Sequence, residues 1–95
     1  MKKLKRADNE RLLLMTKAIA QPMRLSILRF LVENPNCYTK DIVAALPISQ
    51  ATVSQHVKQL RDAGWLASEQ DCQMTSHWLD DQNIKWFKKT INDVF

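Results

Sequence analysis

The sequence predicts a mainly α-helical chain with one small β-hairpin, in the element order α-α-α-α-β-β-α. Apolar residues recur at helical spacing over most of the chain, and only residues 65–79 carry short strand-like segments around a polar stretch. The single glycine, Gly64, argues against an all-β fold, whose turns use glycine freely. It also excludes the glycine-rich loops that cradle nucleotides. With 95 residues and 45% hydrophobic content, residues 1–95 are expected to form one globular domain.

The first two predicted helices cover residues 8–20 and 22–33. The first has an apolar side broader than a small core usually needs. Pro22 suits the first turn of the second helix, where its missing N–H costs nothing. Because apolar residues cover most of its circumference, the second helix is predicted to be central to the fold.

Residues 39–63 predict two short helices joined by a tight turn, the helix-turn-helix arrangement. Thr39 is the expected N-cap of the first helix, and Pro47 ends it. Ser49 is the expected N-cap of the second, which covers residues 50–63 and closes at Gly64 in the left-handed conformation.

The remaining residues predict a hairpin and a last helix. Strands at 66–69 and 76–79 are joined by the polar residues 70–75. A helix over residues 81–95 follows. Its apolar residues are spaced 3, 4 and 3 apart, as in a coiled-coil stripe: Ile84, Phe87, Ile91 and Val94.

The helix over residues 50–63 has a face typical of DNA reading. Residues 49–61 contain no acidic side chain, so this face can approach a phosphate backbone without repulsion. Gln55 offers the paired donor and acceptor that match adenine in the major groove, and Lys58 is placed for a phosphate. The predicted DNA-contacting residues are Thr39, Ser49, Gln50, Ala51, Thr52, Ser54, Gln55 and Lys58.

Charge and cysteine content are consistent with this interpretation. The net charge is +4, and residues 1–48 hold 9 of the 14 basic side chains with 4 acids, so the basic excess lies in the N-terminal half. Residues 1–7 are expected to form a flexible basic arm.

No signal peptide or membrane span is recognisable, which predicts a cytoplasmic protein. Cys37 and Cys72 are too few for a disulfide scaffold and are expected to be free thiols.

Two blocks carry a resemblance to a known family. Residues 18–28, AIAQPMRLSIL, and residues 41–66, with the stretch ISQATVSQHVKQLRDAGWL from Ile48, resemble ArsR-type (ArsR/SmtB) winged helix-turn-helix regulators. The resemblance implies a homodimeric transcription repressor that binds a palindromic operator, with the helix from Gln50 in the major groove and residues 65–79 as the wing. It assigns the dimer interface to the first and last helices, through Leu12, Met15, Ile19, Ile84, Phe87, Ile91 and Val94.

The sequence departs from the metal-binding patterns of that family. The two cysteine positions before the third helix hold Tyr38 and Lys40, and Lys40 cannot act as a thiolate ligand. Residues 80–95 contain no histidine, whereas the other family site needs histidines there. Neither a metal nor any other cofactor is therefore expected, and the sequence does not identify a small-molecule effector.

Other polar residues are predicted to have structural roles. His56 is expected to pack or form hydrogen bonds. His77, Cys72 and Met74 lie together on the hairpin, but a metal site needs a rigid surrounding shell that a wing tip lacks. Cys37 is expected to be buried and inert, and Cys72 exposed. The tryptophans are expected to be packing residues rather than a ligand cage: Trp65, Trp78 and Trp86. Trp86 neighbours the Phe87 stripe and is also a candidate for the dimer interface.

Two functions of different classes remain compatible with the sequence. The first is a DNA-binding regulator without a family metal site, and the second is a winged-helix module that binds protein. The acid-free face of residues 49–61 favours the first. An enzyme is not expected, because no segment brings together a carboxylate pair or a nucleophile with its base.

Overall fold

The computed structural model describes residues 3–95, which form five helices and a three-stranded antiparallel sheet. The mainly helical class with a small sheet is confirmed. None of the described helices is long and apolar enough to cross a membrane. In chain order the elements are α1 (Arg6–Ile19), α2 (Pro22–Glu33), β1 (Cys37–Tyr38), α3 (Thr39–Ala45), α4 (Gln50–Ala63), β2 (Leu66–Asp71), β3 (Met74–Leu79) and α5 (Asp81–Val94).

Helix α4 begins and ends where the sequence predicts. The Ser49 hydroxyl accepts a hydrogen bond from the Thr52 N–H at 3.2 Å, which satisfies one of the unpaired donors of the first turn. Gly64 has φ 100°, and its N–H bonds to the carbonyls of Leu60 and Arg61, both at 3.1 Å. The only glycine of the chain therefore lies where the backbone must turn left-handed.

Helix α3 begins differently from the prediction. The N-cap is Tyr38, whose N–H donates to the Asp41 carboxylate at 2.8 Å. The expectation that Thr39 caps this helix is therefore wrong. The Asp41 carboxylate accepts the hydrogen bond from the Tyr38 N–H, which makes Tyr38 the residue that precedes the first helical turn. Thr39 becomes the first helical residue, and its hydroxyl bonds to the sheet instead.

Helix α1 begins earlier than predicted and shortens the expected N-terminal arm. Arg6 is already helical, and its guanidinium lies 3.3 Å from the Glu10 carboxylate one turn ahead. The Asn9 N–H also bonds to the Lys5 carbonyl at 2.9 Å. The predicted arm over residues 1–7 is therefore wrong for Arg6 and Ala7, while Met1 and Lys2 lie outside the described residues.

The sheet has one more strand than the sequence predicts. β3 is central, with β1 and β2 on its two sides, so His77 is paired with both Cys37 and Ser68. β2 and β3 are longer than predicted and leave only a two-residue turn. Cys72 takes the left-handed conformation of that turn with φ 56°, a position that a pattern search assigns to glycine or asparagine. β1 has two residues, too few for an alternating pattern.

The core lies where α1, α2 and α4 meet the sheet. Trp65, directly after α4, reaches into it and donates its indole N–H to the Met15 carbonyl at 2.7 Å. Its ring packs against Phe87 of α5 with centroids 4.8 Å apart. The largest fully buried side chains come from four helices: Met15, Ile27, Leu31, Ile42, Val53 and Leu60.

The predicted dimer-interface residues divide into three groups. Met15 has an exposed fraction of 0%, so the expectation that it faces a second subunit is wrong; it belongs to the core of this chain. Three others are half-buried and pack against that core. They are Ile19, Ile84 and Phe87. The last three are half-buried outside the core cluster. They are Leu12, Ile91 and Val94.

Replacement of the glycine after α4 tests how tightly this turn is specified. Gly64→Ala is expected to lower the free energy of unfolding by about 1–2 kcal/mol, because an L side chain is strained at this φ. A Cβ there would also lie 3.1 Å from the Asn83 amide nitrogen. Urea denaturation measures the change. Gly64→Asn is the matched control and should lose less, since asparagine tolerates the left-handed region; an equal loss would point to crowding alone.

Candidate nucleic-acid interface

Helix α4 separates a buried side from a polar exposed side. Val53, Val57 and Leu60 are buried. The predicted DNA-contacting residues of this helix lie on the opposite side, which faces away from the core. Gln50, Ala51, Ser54, Gln55 and Lys58 are exposed, and Thr52 is half-buried.

The start of α4 is suited to a phosphate group. The Ser49 and Thr52 hydroxyl oxygens are 3.0 Å apart, and Ser49 also caps the Thr52 N–H. The unpaired backbone N–H groups of a helix's first turn give its end a partial positive charge. Since no acidic side chain lies in the first turn of α4, that charge is not neutralised from within the helix.

Lys58 has a partner that the acid-free stretch did not reveal. Its ammonium lies 2.7 Å from the carboxylate of Asp62, one turn along α4 and just beyond residues 49–61. The hydrogen bond from Lys58 lowers the pKa of the Asp62 carboxyl. Both side chains are largely exposed, and such surface pairs contribute little net stability. Lys58 can therefore exchange this carboxylate for a phosphate at small cost.

A polar cleft of about 310 Å³ lies beside α4, between the start of α3 and the turn of the hairpin. The cleft has a cation at Lys40, and none of its lining residues is acidic. Sequence reasoning found Thr39, Gln50 and Ser54 here but missed the others, because only the pairing of β1 with β3 brings the hairpin to the start of α3. The lining residues are Tyr38, Thr39, Lys40, Gln50, Ser54, Gln73, Met74 and Thr75.

His77 lies beneath this cleft in the central strand, with an exposed fraction of 2%. Its Nε2 is 2.8 Å from the Thr39 hydroxyl, and its Nδ1 is 2.7 Å from the Ser68 hydroxyl. Arg61 of α4 donates to the same Ser68 oxygen at 3.2 Å. His77, Cys72 and Met74 all lie on the hairpin, but His77 is buried whereas Cys72 and Met74 are exposed at the turn.

Burial shifts the pKa values of three groups near the helix-turn-helix. The pKa of His77 is lowered by burial and by the charge of Arg61. The pKa of His56 is lowered by burial and by Arg24. Burial, with a contribution from Asp41, raises the pKa of the Cys37 thiol. As predicted, Cys37 is a buried thiol and Cys72 an exposed one.

No group of three histidine, cysteine or carboxylate side chains among residues 3–95 forms a metal site.

The far end of α4 is held by α1 and α5. The Asn83 amide donates to the Gly64 carbonyl at 3.0 Å and accepts from the Arg11 guanidinium at 2.6 Å. Arg11 in turn lies 3.9 Å over the ring of Trp86. As predicted, Trp86 packs within the fold, and Trp65 is part of the core. The exposed face of α4 is thus presented by a helix fixed at its carboxyl end.

The sequence that contains the helix-turn-helix matches a described family. Residues 21–68 match the family described as "Bacterial regulatory protein, arsR family". The chain belongs to this family. The matched stretch runs from the start of α2 into the first half of β2 and so contains the whole helix-turn-helix. The resemblance predicted from the two sequence blocks is confirmed.

Individual transcription regulators are similar over most of the chain. The HTH-type transcriptional regulator YgaV of Escherichia coli is 26% identical over 89 residues, 94% of this chain and 90% of that protein. An ArsR-like transcriptional regulator from Rhodococcus superposes with a TM-score of 0.82 at 16% identity, over 93% of this chain and 82% of that one. A homodimeric winged helix-turn-helix DNA-binding domain from Mycobacterium bovis, a possible ArsR-family regulator, superposes with a TM-score of 0.76 at 18% identity, covering 98% and 91%. The two structural likenesses establish the winged helix-turn-helix fold.

The buried histidine makes a sign-specific prediction for stability. Below pH 6.5, the unfolded chain takes up a proton at His77 that the folded chain binds only at lower pH, so the free energy of unfolding falls with acidification. His77→Gln keeps a donor and an acceptor but does not titrate. Urea denaturation above and below pH 6.5 should show a smaller loss for the variant. His56 contributes in the same direction, so part of the loss remains; an unchanged loss would show that His77 titrates normally in the folded chain.

Proposed function

We propose that this chain is a transcription repressor that binds a palindromic operator as a homodimer, with α4 in the major groove. The exposed face of residues 49–61, which contains no acid and borders a cleft without acidic lining residues at the start of α3, is the observation that carries the proposal. Membership of the arsR family supports the regulatory role. The family resemblance implies a symmetric dimer and therefore two half-sites related by a two-fold axis.

Base reading is assigned to the exposed amides of α4. Gln50 and Gln55 lie on the exposed face, and a glutamine amide offers one donor and one acceptor, which match N7 and N6 of adenine. Ala51 and Ser54 are short, so the helix backbone can come close to the base edges. Apolar contact with a thymine methyl is open to Ala51.

Phosphate binding is assigned to the two ends of this face. Lys40 and Thr39 lie in the cleft at the start of α3, and Lys58 lies one turn from the end of α4. Ser49 and Thr52 lie at the N-terminus of α4, where backbone N–H groups add to the attraction. Contacts of this kind fix the register of a protein on the duplex, and the amides then discriminate between bases.

The wing contributes through one side only. Gln73 and Thr75 line the cleft beside α4 and are uncharged. Glu69 and Asp71 belong to β2, and both side chains are exposed. Since these carboxylates repel phosphate, we assign wing contacts to Gln73 and Thr75 rather than to β2.

The homodimer is assigned to α1 and α5, which carry apolar side chains outside the core. Leu12, Ile91 and Val94 are half-buried there. Leu13 and Leu14 on α1 are exposed to 58% and 60%, although the sequence analysis did not place them in the interface. A second copy of the same surface would remove these side chains from water, which is favourable for each apolar group buried.

Charge reversal on α4 tests the recognition surface. The double variant Gln55→Glu with Lys58→Glu should lose DNA binding, because two carboxylates would then face the duplex. The probe is a pool of random-sequence duplexes, from which the wild-type protein selects its preferred sequence. Wild-type affinity should fall with salt with a slope of about −0.9 per phosphate contact.

The matched control places the same two changes at the same spacing on α5. Gln82→Glu with Lys85→Glu alters exposed residues on the side of α5 opposite its apolar stripe. This protein should bind the selected duplex as the wild type does. Retained binding by the α4 variant, or a wild-type affinity that does not respond to salt, would overturn the assignment and favour a protein-binding winged helix.

Disruption of the apolar stripe of α5 tests the dimer. Ile91→Glu places a charge among side chains that we assign to the subunit interface, and a buried unpaired carboxylate is costly. Light scattering should give the mass of one chain, 11.1 kDa, for the variant and twice that mass for the wild type. The Gln82→Glu variant should remain dimeric. A wild-type protein that is monomeric at all concentrations would contradict the proposal.

A further inference from the structure

A chain of three hydrogen bonds crosses the fold from α4 to α3. It starts at the Arg61 guanidinium, 3.2 Å from the Ser68 hydroxyl on β2. It continues over 2.7 Å from Ser68 to Nδ1 of His77, and ends over 2.8 Å from Nε2 of His77 to the Thr39 hydroxyl. Four elements are joined by these contacts, and the last residue lines the cleft beside α4.

The chemistry of the first donor favours one direction for the whole chain. A guanidinium can only donate, so the Ser68 oxygen accepts from Arg61. The Ser68 hydroxyl hydrogen is then available to Nδ1 of His77. When Nδ1 accepts this hydrogen, a neutral imidazole carries its own hydrogen on Nε2, and Nε2 then donates to the Thr39 oxygen.

This direction leaves one hydrogen atom of Thr39 without a use inside the chain. In this arrangement the Thr39 oxygen accepts from Nε2, so the Thr39 O–H does not point at His77 and can donate to another group. Thr39 is half-buried at the cleft, with Lys40 as its neighbour in the cleft wall. A hydroxyl donor beside an ammonium group, with no carboxylate in the lining, suits an anionic oxygen.

We infer that His77 is a positioning residue for DNA binding, which orients the Thr39 hydroxyl so that it donates to a backbone phosphate. The inference rests on the proposed function and adds a buried residue that never touches DNA. In the first turn of a helix, a threonine hydroxyl otherwise competes for nearby backbone groups. The fixed donation from Nε2 removes this freedom before DNA arrives, and a pre-oriented donor loses less entropy on binding.

Two amide replacements of His77 separate positioning from packing. Glutamine carries its amide nitrogen near the place of Nε2, whereas the shorter asparagine places its amide near Nδ1 and cannot reach Thr39. His77→Asn should lower the affinity about three- to tenfold, the loss expected for one hydrogen bond, and His77→Gln should restore most of it. The loss should be equal on the selected duplex and on a random-sequence duplex, because phosphates carry no sequence information.

A double-mutant cycle tests whether His77 acts through Thr39. Thr39→Val removes the hydroxyl at nearly constant shape and should lose as much affinity as His77→Asn, while Thr39→Ser keeps the donor and should lose less. In the Thr39→Val background, His77→Asn should add no further loss. Additive losses, equal losses for His77→Asn and His77→Gln, or no loss in either would each overturn the inference.

The imidazole tautomer supplies a measurement that does not involve DNA. Nitrogen-15 spectra of the wild-type protein at pH above 6.5 should show His77 neutral, with its hydrogen on Nε2. A hydrogen on Nδ1 would reverse the chain and overturn the inference. If His77→Asn does not fold, the tautomer and the comparison of Thr39→Val with Thr39→Ser decide the question.

The outcomes distinguish this inference from the proposed function. If the wild-type protein binds neither duplex, the proposed function itself fails. If the wild-type protein binds and the Gln55→Glu, Lys58→Glu variant does not, while Thr39→Val binds as tightly as the wild type, only the role of His77 and Thr39 is overturned.

Discussion

The junction between α4 and β2 is the constraint on which the rest of this structure depends. At Gly64 the chain leaves the helix in a left-handed conformation, and Trp65 then enters the core and donates to the Met15 carbonyl. Asn83 closes the junction from α5 through the Gly64 carbonyl. Contacts from α1, α4 and α5 thus meet at Gly64 and Trp65, and they fix the orientation of α4 relative to the rest of the fold.

The buried side of α4 contributes to stability, and its exposed side carries the proposed recognition residues. Val53 and Leu60 are fully buried, and a substitution there would cost core packing. The exposed side makes few contacts within the chain, apart from the cap at Ser49, the surface pair of Lys58 with Asp62 and the hydrogen bond from Arg61 to Ser68. The buried side therefore holds the exposed side in place, while residues on the exposed side can differ between relatives without loss of the fold.

The sequence predicts the parts of this fold that depend on local rules. Capping by Ser49 and the glycine stop at Gly64 place α4 correctly, because both act within one turn of the chain. Contacts between distant segments were missed. The pairing of Cys37 with His77 joins residues far apart in sequence, and β1 is too short to show a pattern. Met15 shows the same limit, since helical spacing identifies an apolar face but not what covers it.

The candidate site divides in the same way. The exposed residues of α4 follow from helical periodicity once the buried stripe is known. The hairpin side of the cleft and the link from His77 to Thr39 depend on the sheet, and so does the presence of Lys40 and Thr75 in the same cleft lining. The pair of Lys58 with Asp62 was within reach, since a spacing of four residues on a helix brings opposite charges together.

The short strand β1 has a mechanical consequence for the whole surface. β1 pairs Tyr38, the residue before α3, with the central strand β3 of the hairpin. The wing is therefore attached to α3 through the sheet, and α3, α4 and the wing together form one surface. The backbone pairing of β1 with β3 sets the distance between the start of α3 and the hairpin. In the proposed complex, we therefore expect the DNA rather than the protein to change shape where the two surfaces do not fit. DNA deformability depends on base sequence, so this adjustment contributes to specificity even at base pairs that no side chain contacts.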